Sequence, residues 1–292
     1  MEHIVWRSPT GLKKGIRMPL PQMPTPDSML SLQEEQKKFI YLTINYSKID
    51  VILILFYIKN DLSFFANKIT REALFHRLSG KLQPLGNDGI KCSRSSIEEY
   101  KMCIKYKRSF FNSIRSVESF LKYIKEISSD LLGNPVFIRE KEVIVTPDRY
   151  GNFVAYPNQK YINFGIEKLL FVIKNKEKYG ALLSSCTILS MLLSIHPFQD
   201  GNGRVSRIIF NIFLMNTVNK NIFIPIYEFS KISQNGFLFN IREAQLFNKW
   251  ENISIYMNNI LLESIKFNMN FDNIRSISNG KLEEFCYYLY KT

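Results

Sequence analysis

Apolar residues recur along most of this chain at helical spacing. Between Leu30 and about Leu82, the residues Phe39, Ile40, Leu42 and Ile44, followed by the run Ile52 to Ile58, predict at least two helices with buried faces. The break "PLGNDG" at 84 to 89 separates them from helical stretches at about 94 to 107 and 110 to 132. The second of these carries Phe110, Ile114, Val117, Phe120, Leu121, Ile124 and Ile127 near i, i+3, i+4 spacing and is ended by Gly133-Asn134-Pro135. The period then changes. In "VFIREKEVIVTPDRYGNFVAYP", 136 to 157, β-branched and aromatic residues flank a Pro-Asp-Arg-Tyr-Gly-Asn turn, which predicts a hairpin. Helical pattern returns at about 161 to 177. From Lys178 to Ile195, "KYGALLSSCTILSMLLSI" is apolar on nearly every side, as a central helix buried all round would be. Pro197 disfavours helical geometry at His196 and so places a helix boundary there. A further apolar helix, "RVSRIIFNIFLMNTV", follows, and Ile222 to Thr292 reads as two or three more. The expected fold class is mainly α, a helical bundle with one small β-hairpin.

Residues 7 to 28, "RSPTGLKKGIRMPLPQMPTPDS", are Pro-rich and basic without any period. They predict a disordered leader over 1–28, followed by an N-terminal helical region over 29–129, a domain over 130–260 and a helical tail over 261–292. With 46% hydrophobic residues the chain can build a sizeable core, so global disorder is excluded. Its net charge of +13 would suit nucleotides, nucleic acid or acidic partners. The lysines are scattered and not blocked, which favours an ordinary basic surface over a nucleic-acid footprint. Cys92, Cys103, Cys186 and Cys286 lack C-x-x-C spacing, against a disulfide framework or zinc knuckle. The densest apolar run, Val51 to Ile58, is far short of the roughly 20 residues that span a bilayer, and no segment resembles a signal peptide. A cytoplasmic location without membrane contact is expected, with export as a secreted effector left open.

The chemistry concentrates in "HPFQDGNGRVSR", 196 to 207. Glycines on both sides of Asn202 allow consecutive amides to converge on an anion. A helix starts at the same place, so its first-turn N–H groups and dipole favour that anion too, and Arg204 and Arg207, three apart, project from one face. The arrangement predicts a phosphate site. The Lys-Ser/Thr ending of a nucleoside-triphosphatase P-loop is missing, and the bend follows a helix, unlike the dinucleotide G-x-G-x-x-G. Asp200 offers a hard oxygen to a magnesium ion that also binds phosphate. His196 can take a proton from an incoming hydroxyl.

This stretch resembles the Fic family signature His-x-Phe-x-(Asp/Glu)-Gly-Asn-Gly-Arg-x-x-Arg at every specified position. The order of elements from about 130 to 260, with Arg139 ahead of the hairpin and Tyr156-Pro157 after it, is similar as well. The resemblance implies the α-helical Fic fold and transfer of AMP from ATP, with magnesium, to a Ser, Thr or Tyr hydroxyl of a target protein. It implies His196 as general base, Phe198 as the anchor of the loop and Asp200 as the metal ligand. Gly201, Asn202 and Gly203 would form the anion cradle, and Arg204 and Arg207 would steady the phosphates. The hairpin resembles the flap that holds a target segment by strand addition, with Val143, Ile144 and Val145 as the docking strand.

Many Fic proteins also carry an inhibitory Ser/Thr-x-x-x-Glu-Gly/Asn helix whose glutamate pairs with the second signature arginine. Here "SRSSIEEYK", 93 to 101, offers two registers. The Ile-Glu register selects Glu98, with Arg94 where Ser or Thr is expected; the alternative runs from Ser95 to Glu99. Glu98 is placed ahead of Glu99. With such a glutamate the same site could also remove AMP by positioning water. The reading carried against the transferase is a non-catalytic nucleotide- or nucleic-acid-binding module. A separate antitoxin or a second copy of the chain stays open as a partner.

Overall fold

The structure is a computed structural model that describes residues 5–7, 14–24, 89–145, 153–232 and 236–269. The helices expected between Leu30 and Leu82, the tip of the expected hairpin and the chain beyond 269 lie outside the described residues. The described part is mainly α-helical, as the periodicity predicts. It contains α1 (Gly89–Tyr106), α2 (Val117–Leu132), α3 (Ile162–Lys174), α4 (Ala181–Ile195), α5 (Asn202–Val218), α6 (Ile226–Ile232), α7 (Gly236–Phe247) and α8 (Trp250–Met269). None of these is long and apolar enough to cross a membrane.

Helix α4 is the axis of the bundle. Every residue in it except Leu193 is buried, and α3, α5, α7 and α8 pack around it. Two of its buried hydroxyls bond back to the preceding turn: Ser185 donates to the Ala181 carbonyl and Thr187 to that of Leu183, each at 2.7 Å. Near its C-terminal end α3 comes very close. A Cβ on Gly165 would stand 2.7 Å from Ile195 Cγ1, so only glycine permits that approach.

The stretch expected as one helix over 110–132 is split. Ser116 takes an extended conformation and caps α2, exchanging bonds with Ser119 in a capping box, and Gly133 ends the helix with φ +70°. Helix α1 lies on α5 and α6 and buries Ser96, Glu99, Tyr100 and Cys103, which fall on one face at i, i+3, i+4, i+7.

Strands β1 (Val5–Arg7), β2 (Lys14–Arg17), β3 (Ile144–Val145) and β4 (Phe153–Ala155) form one sheet in the order β1-β2-β4-β3. β3 pairs antiparallel with β4. Of the leader expected to be disordered over 1–28, residues 5–7 and 14–17 form strands. β2 runs parallel to β4, Met18 N–H donates to the Ala155 carbonyl at 2.8 Å, and Met18, Pro21 and Pro24 are buried. β4 supplies a template of main-chain groups that the Pro-rich composition gives no hint of. Boundaries drawn at 129 and 260 both fall inside helices, α2 and α8, whose hydrogen bonding is continuous there.

Candidate active site

Two helix ends and the loop between them build the site. α4 closes with His196 N–H donating to the Leu192 carbonyl at 3.0 Å, and His196 itself turns left-handed, φ 50° and ψ 62°. A left-handed histidine is strained, and the following proline removes the right-handed alternative. The loop then dives inward: Phe198 is fully buried. Asn202, at the start of α5, accepts from Phe198 N–H at 2.9 Å and donates to the Phe198 carbonyl at 2.8 Å. Its amide therefore clamps the loop and is not turned toward a ligand. Gly201 takes φ +81°, and its N–H is bonded to Asp200 Oδ1 at 2.6 Å. The anion cradle expected from all three residues is thus left mainly to the first-turn amides of α5, which have no acceptor within the helix.

A cavity of about 260 Å³ opens over this corner, lined by His196, Gln199, Asp200, Gly201, Asn202, Gly203, Arg204 and Arg207. The structure brings together all the residues expected at the phosphate, metal and base positions. Asp200 is exposed, and its second oxygen lies 3.5 Å from the Arg204 guanidinium. No cluster of three or more metal-ligating side chains occurs among the described residues. A lone exposed carboxylate suits magnesium, which commonly takes one or two carboxylates and completes its shell with water and substrate phosphate.

The His196 ring stacks on Tyr156, with centroids 3.7 Å apart and planes 15° apart. Nδ1 lies 3.3 Å from the Leu193 carbonyl. A carbonyl only accepts, so Nδ1 carries the proton and Nε2 keeps its lone pair. Burial pushes the imidazole pKa down to about 4, helped by the Arg139 charge and opposed by the Leu193 carbonyl and Asp200. At neutral pH the ring is uncharged, which a proton acceptor must be.

Arg207 is held by Glu99. Its Nε donates to both carboxylate oxygens at 3.1 Å, Nη2 adds a further bond to Oε1, and the guanidinium sits 4.9 Å over the Tyr227 ring. The order expected between the two glutamates is reversed: Glu99 is the one that reaches the arginine, while Glu98 is only half-buried one position around the helix. The buried stripe Ser96, Glu99, Tyr100, Cys103 is a signal that could have selected it. Of the expected docking strand, Ile144 is exposed in β3, and the Val143 carbonyl accepts Tyr156 N–H at 3.0 Å. The stacking of Tyr156 and the bonding of Arg139, described below, had no signal in the sequence.

No curated protein sequence matches the chain. Among solved structures it is similar to a Fic family protein from Desulfovibrio desulfuricans G20, at 17% identity and a TM-score of 0.56, over 87% of this chain and 77% of that one. Fic-1 (residues 134–508) from C. elegans matches at 14% identity and a TM-score of 0.48, over 85% of this chain and 72% of that one. Likeness at the first level shows the fold. Residues 114–214 match the model of the Fic/DOC family, a span that holds α4, the loop and most of α5. The complete signature lies inside that span, so residues 114–214 are similar to the Fic/DOC family and the chain shares the fold of the Desulfovibrio Fic family protein.

Proposed function

We propose that the chain is a protein adenylyltransferase that moves AMP from ATP to a Ser, Thr or Tyr hydroxyl of a target protein. The observation that carries this reading is an uncharged His196 at the wall of the same cavity that holds the α5 N-terminus, Arg204 and Arg207. Nε2 takes the proton from the target hydroxyl. That oxygen bonds to the α-phosphorus, the bridging bond to the β-phosphate breaks, and pyrophosphate leaves. The α5 amides and the two arginines stabilise the charge that spreads over the phosphoryl oxygens. Asp200 would hold magnesium, which when bound neutralises charge on the polyphosphate. The exposed edge at Ile144 supports docking of an extended target segment on β3.

The Glu99–Arg207 pair supports a brake on the same site. A γ-phosphate and the Glu99 carboxylate both seek Arg207, so each weakens binding of the other. Incorporation from α-labelled ATP into protein tests the transferase reading. Label is expected with the wild type and none with His196→Ala; equal label in both would overturn it.

A further inference from the structure

Arg139 is buried, 3% exposed, yet the guanidinium bonds recorded for it among the described residues all go to main-chain carbonyls. Nε donates to the His196 carbonyl at 2.6 Å, Nη1 to Lys141 at 2.9 Å, and Nη2 to Ile195 at 3.2 Å and to Pro157. Its own main-chain N–H donates to the Pro197 carbonyl at 2.9 Å. The acceptors fall into two groups. Ile195, His196 and Pro197 are the carbonyls at and after the end of α4, which have no partner inside the helix and carry the negative end of its dipole. Lys141 and Pro157 flank the β3–β4 pair on its two chain ends. A planar five-donor fork can reach all of these at once; an ammonium on a flexible stem cannot.

We propose that Arg139 is a positioning residue: its guanidinium fixes the left-handed turn at His196 to both roots of the β3–β4 pair, so that the base and the docking strands form one rigid unit. This rests on the adenylyltransferase reading for its effect on turnover, but not for its effect on the imidazole. Freed of the fork, the turn at 196 relaxes, the ring leaves its stack on Tyr156, and the hydroxyl brought by the target no longer meets Nε2. On that reading ATP contacts Arg204, Arg207 and the α5 amides, none of which Arg139 hydrogen-bonds, so nucleotide binding is left alone.

The groups facing the imidazole are Arg139 behind it, Tyr156 on its ring, and Asp200, Arg204 and Arg207 around the cavity. Removing the Arg139 charge and loosening the burial both raise the proton affinity of His196. The test compares the full chain with Arg139→Gln and Arg139→Lys in two measurements. In labelling, kcat is expected to fall about a hundredfold in the Gln variant with the KM for ATP little changed, and Lys to recover a small part. In NMR titration of the three histidines, the His196 midpoint is expected to move from about 4 up toward 6.5 in the Gln variant. A folded Gln variant with wild-type kcat, or an unmoved midpoint, overturns the proposal. Should the Gln variant fail to fold, Lys decides alone, since it keeps the charge and loses the fork: reduced kcat at unchanged KM supports the proposal and wild-type kcat refutes it. If the wild type transfers no label, the adenylyltransferase reading fails, and the titration still decides what Arg139 does.

Discussion

Replacing Glu99 by glycine should release the enzyme, and the structure sets the size of the effect. Glu99 is 1% exposed and Arg207 11%, so their contact is shielded from salt and water. A hydrogen bond to a charged group contributes about 1.5–3 kcal/mol, and a nucleotide whose terminal phosphate must take Arg207 has to displace that contact. Without it, ATP should bind, and label transfer at subsaturating ATP should rise, by about ten- to a hundredfold. The same change removes the carboxylate from a nearly buried guanidinium, which costs about 3 kcal/mol or more of stability. Glu99→Gly should therefore melt earlier than the wild type and regain more on adding ATP, because a ligand that binds only the folded state stabilises in proportion to its affinity. Glu98→Gly is the control: it places the same flexible residue in the middle of α1 and leaves the Arg207 contact intact. The assay is incorporation of α-labelled ATP by the three proteins side by side, with melting curves with and without ATP. Equal labelling by all three, or a larger rise with Glu98→Gly, would refute the reasoning.

Folded His196 takes a proton near pH 4 and an unfolded one near 6.5, so between those values the unfolded chain binds more protons and stability climbs with pH. His196→Asn, a residue that tolerates the left-handed turn, should climb less over that window in urea unfolding followed from pH 4 to 6.5; parallel curves would contradict the buried neutral ring. Asn202→Ala strips the Phe198 N–H and carbonyl of their partners in the core and should cost about 2–4 kcal/mol, read as a lower urea midpoint, with label transfer falling because the loop loses its clamp.

Local signals and remote ones fared differently in the sequence. Helix α4 was legible because its partners surround it: a run without a polar face can only be central. The signature loop was legible for a similar reason, since Gly201 with φ +81° and the proline after His196 write their backbone needs into residue type. The glutamate register was half legible. Motif spacing pointed to Glu98, whereas the buried stripe through Tyr100 and Cys103 points to Glu99; packing of α1 on α5 and α6 decides, and a single 100° step around the helix separates the two. The N-terminal strands were hidden because their reason lies nearly 140 positions away in β4. The partners of Arg139 were hidden because carbonyls, which every residue has, leave no trace in the letters.

The parallel pairing of β2 with β4 makes the sheet beside the candidate site discontinuous in sequence. Grafting 140–157 from one relative onto another would transplant only part of a sheet, since Gly15, Ile16 and Arg17 stand in register with Phe153, Val154 and Ala155. A chimera that keeps the host's amino-terminal strand would mate mismatched edges, so if the proposed docking role holds, altering which proteins are recognised demands exchanging two distant pieces together.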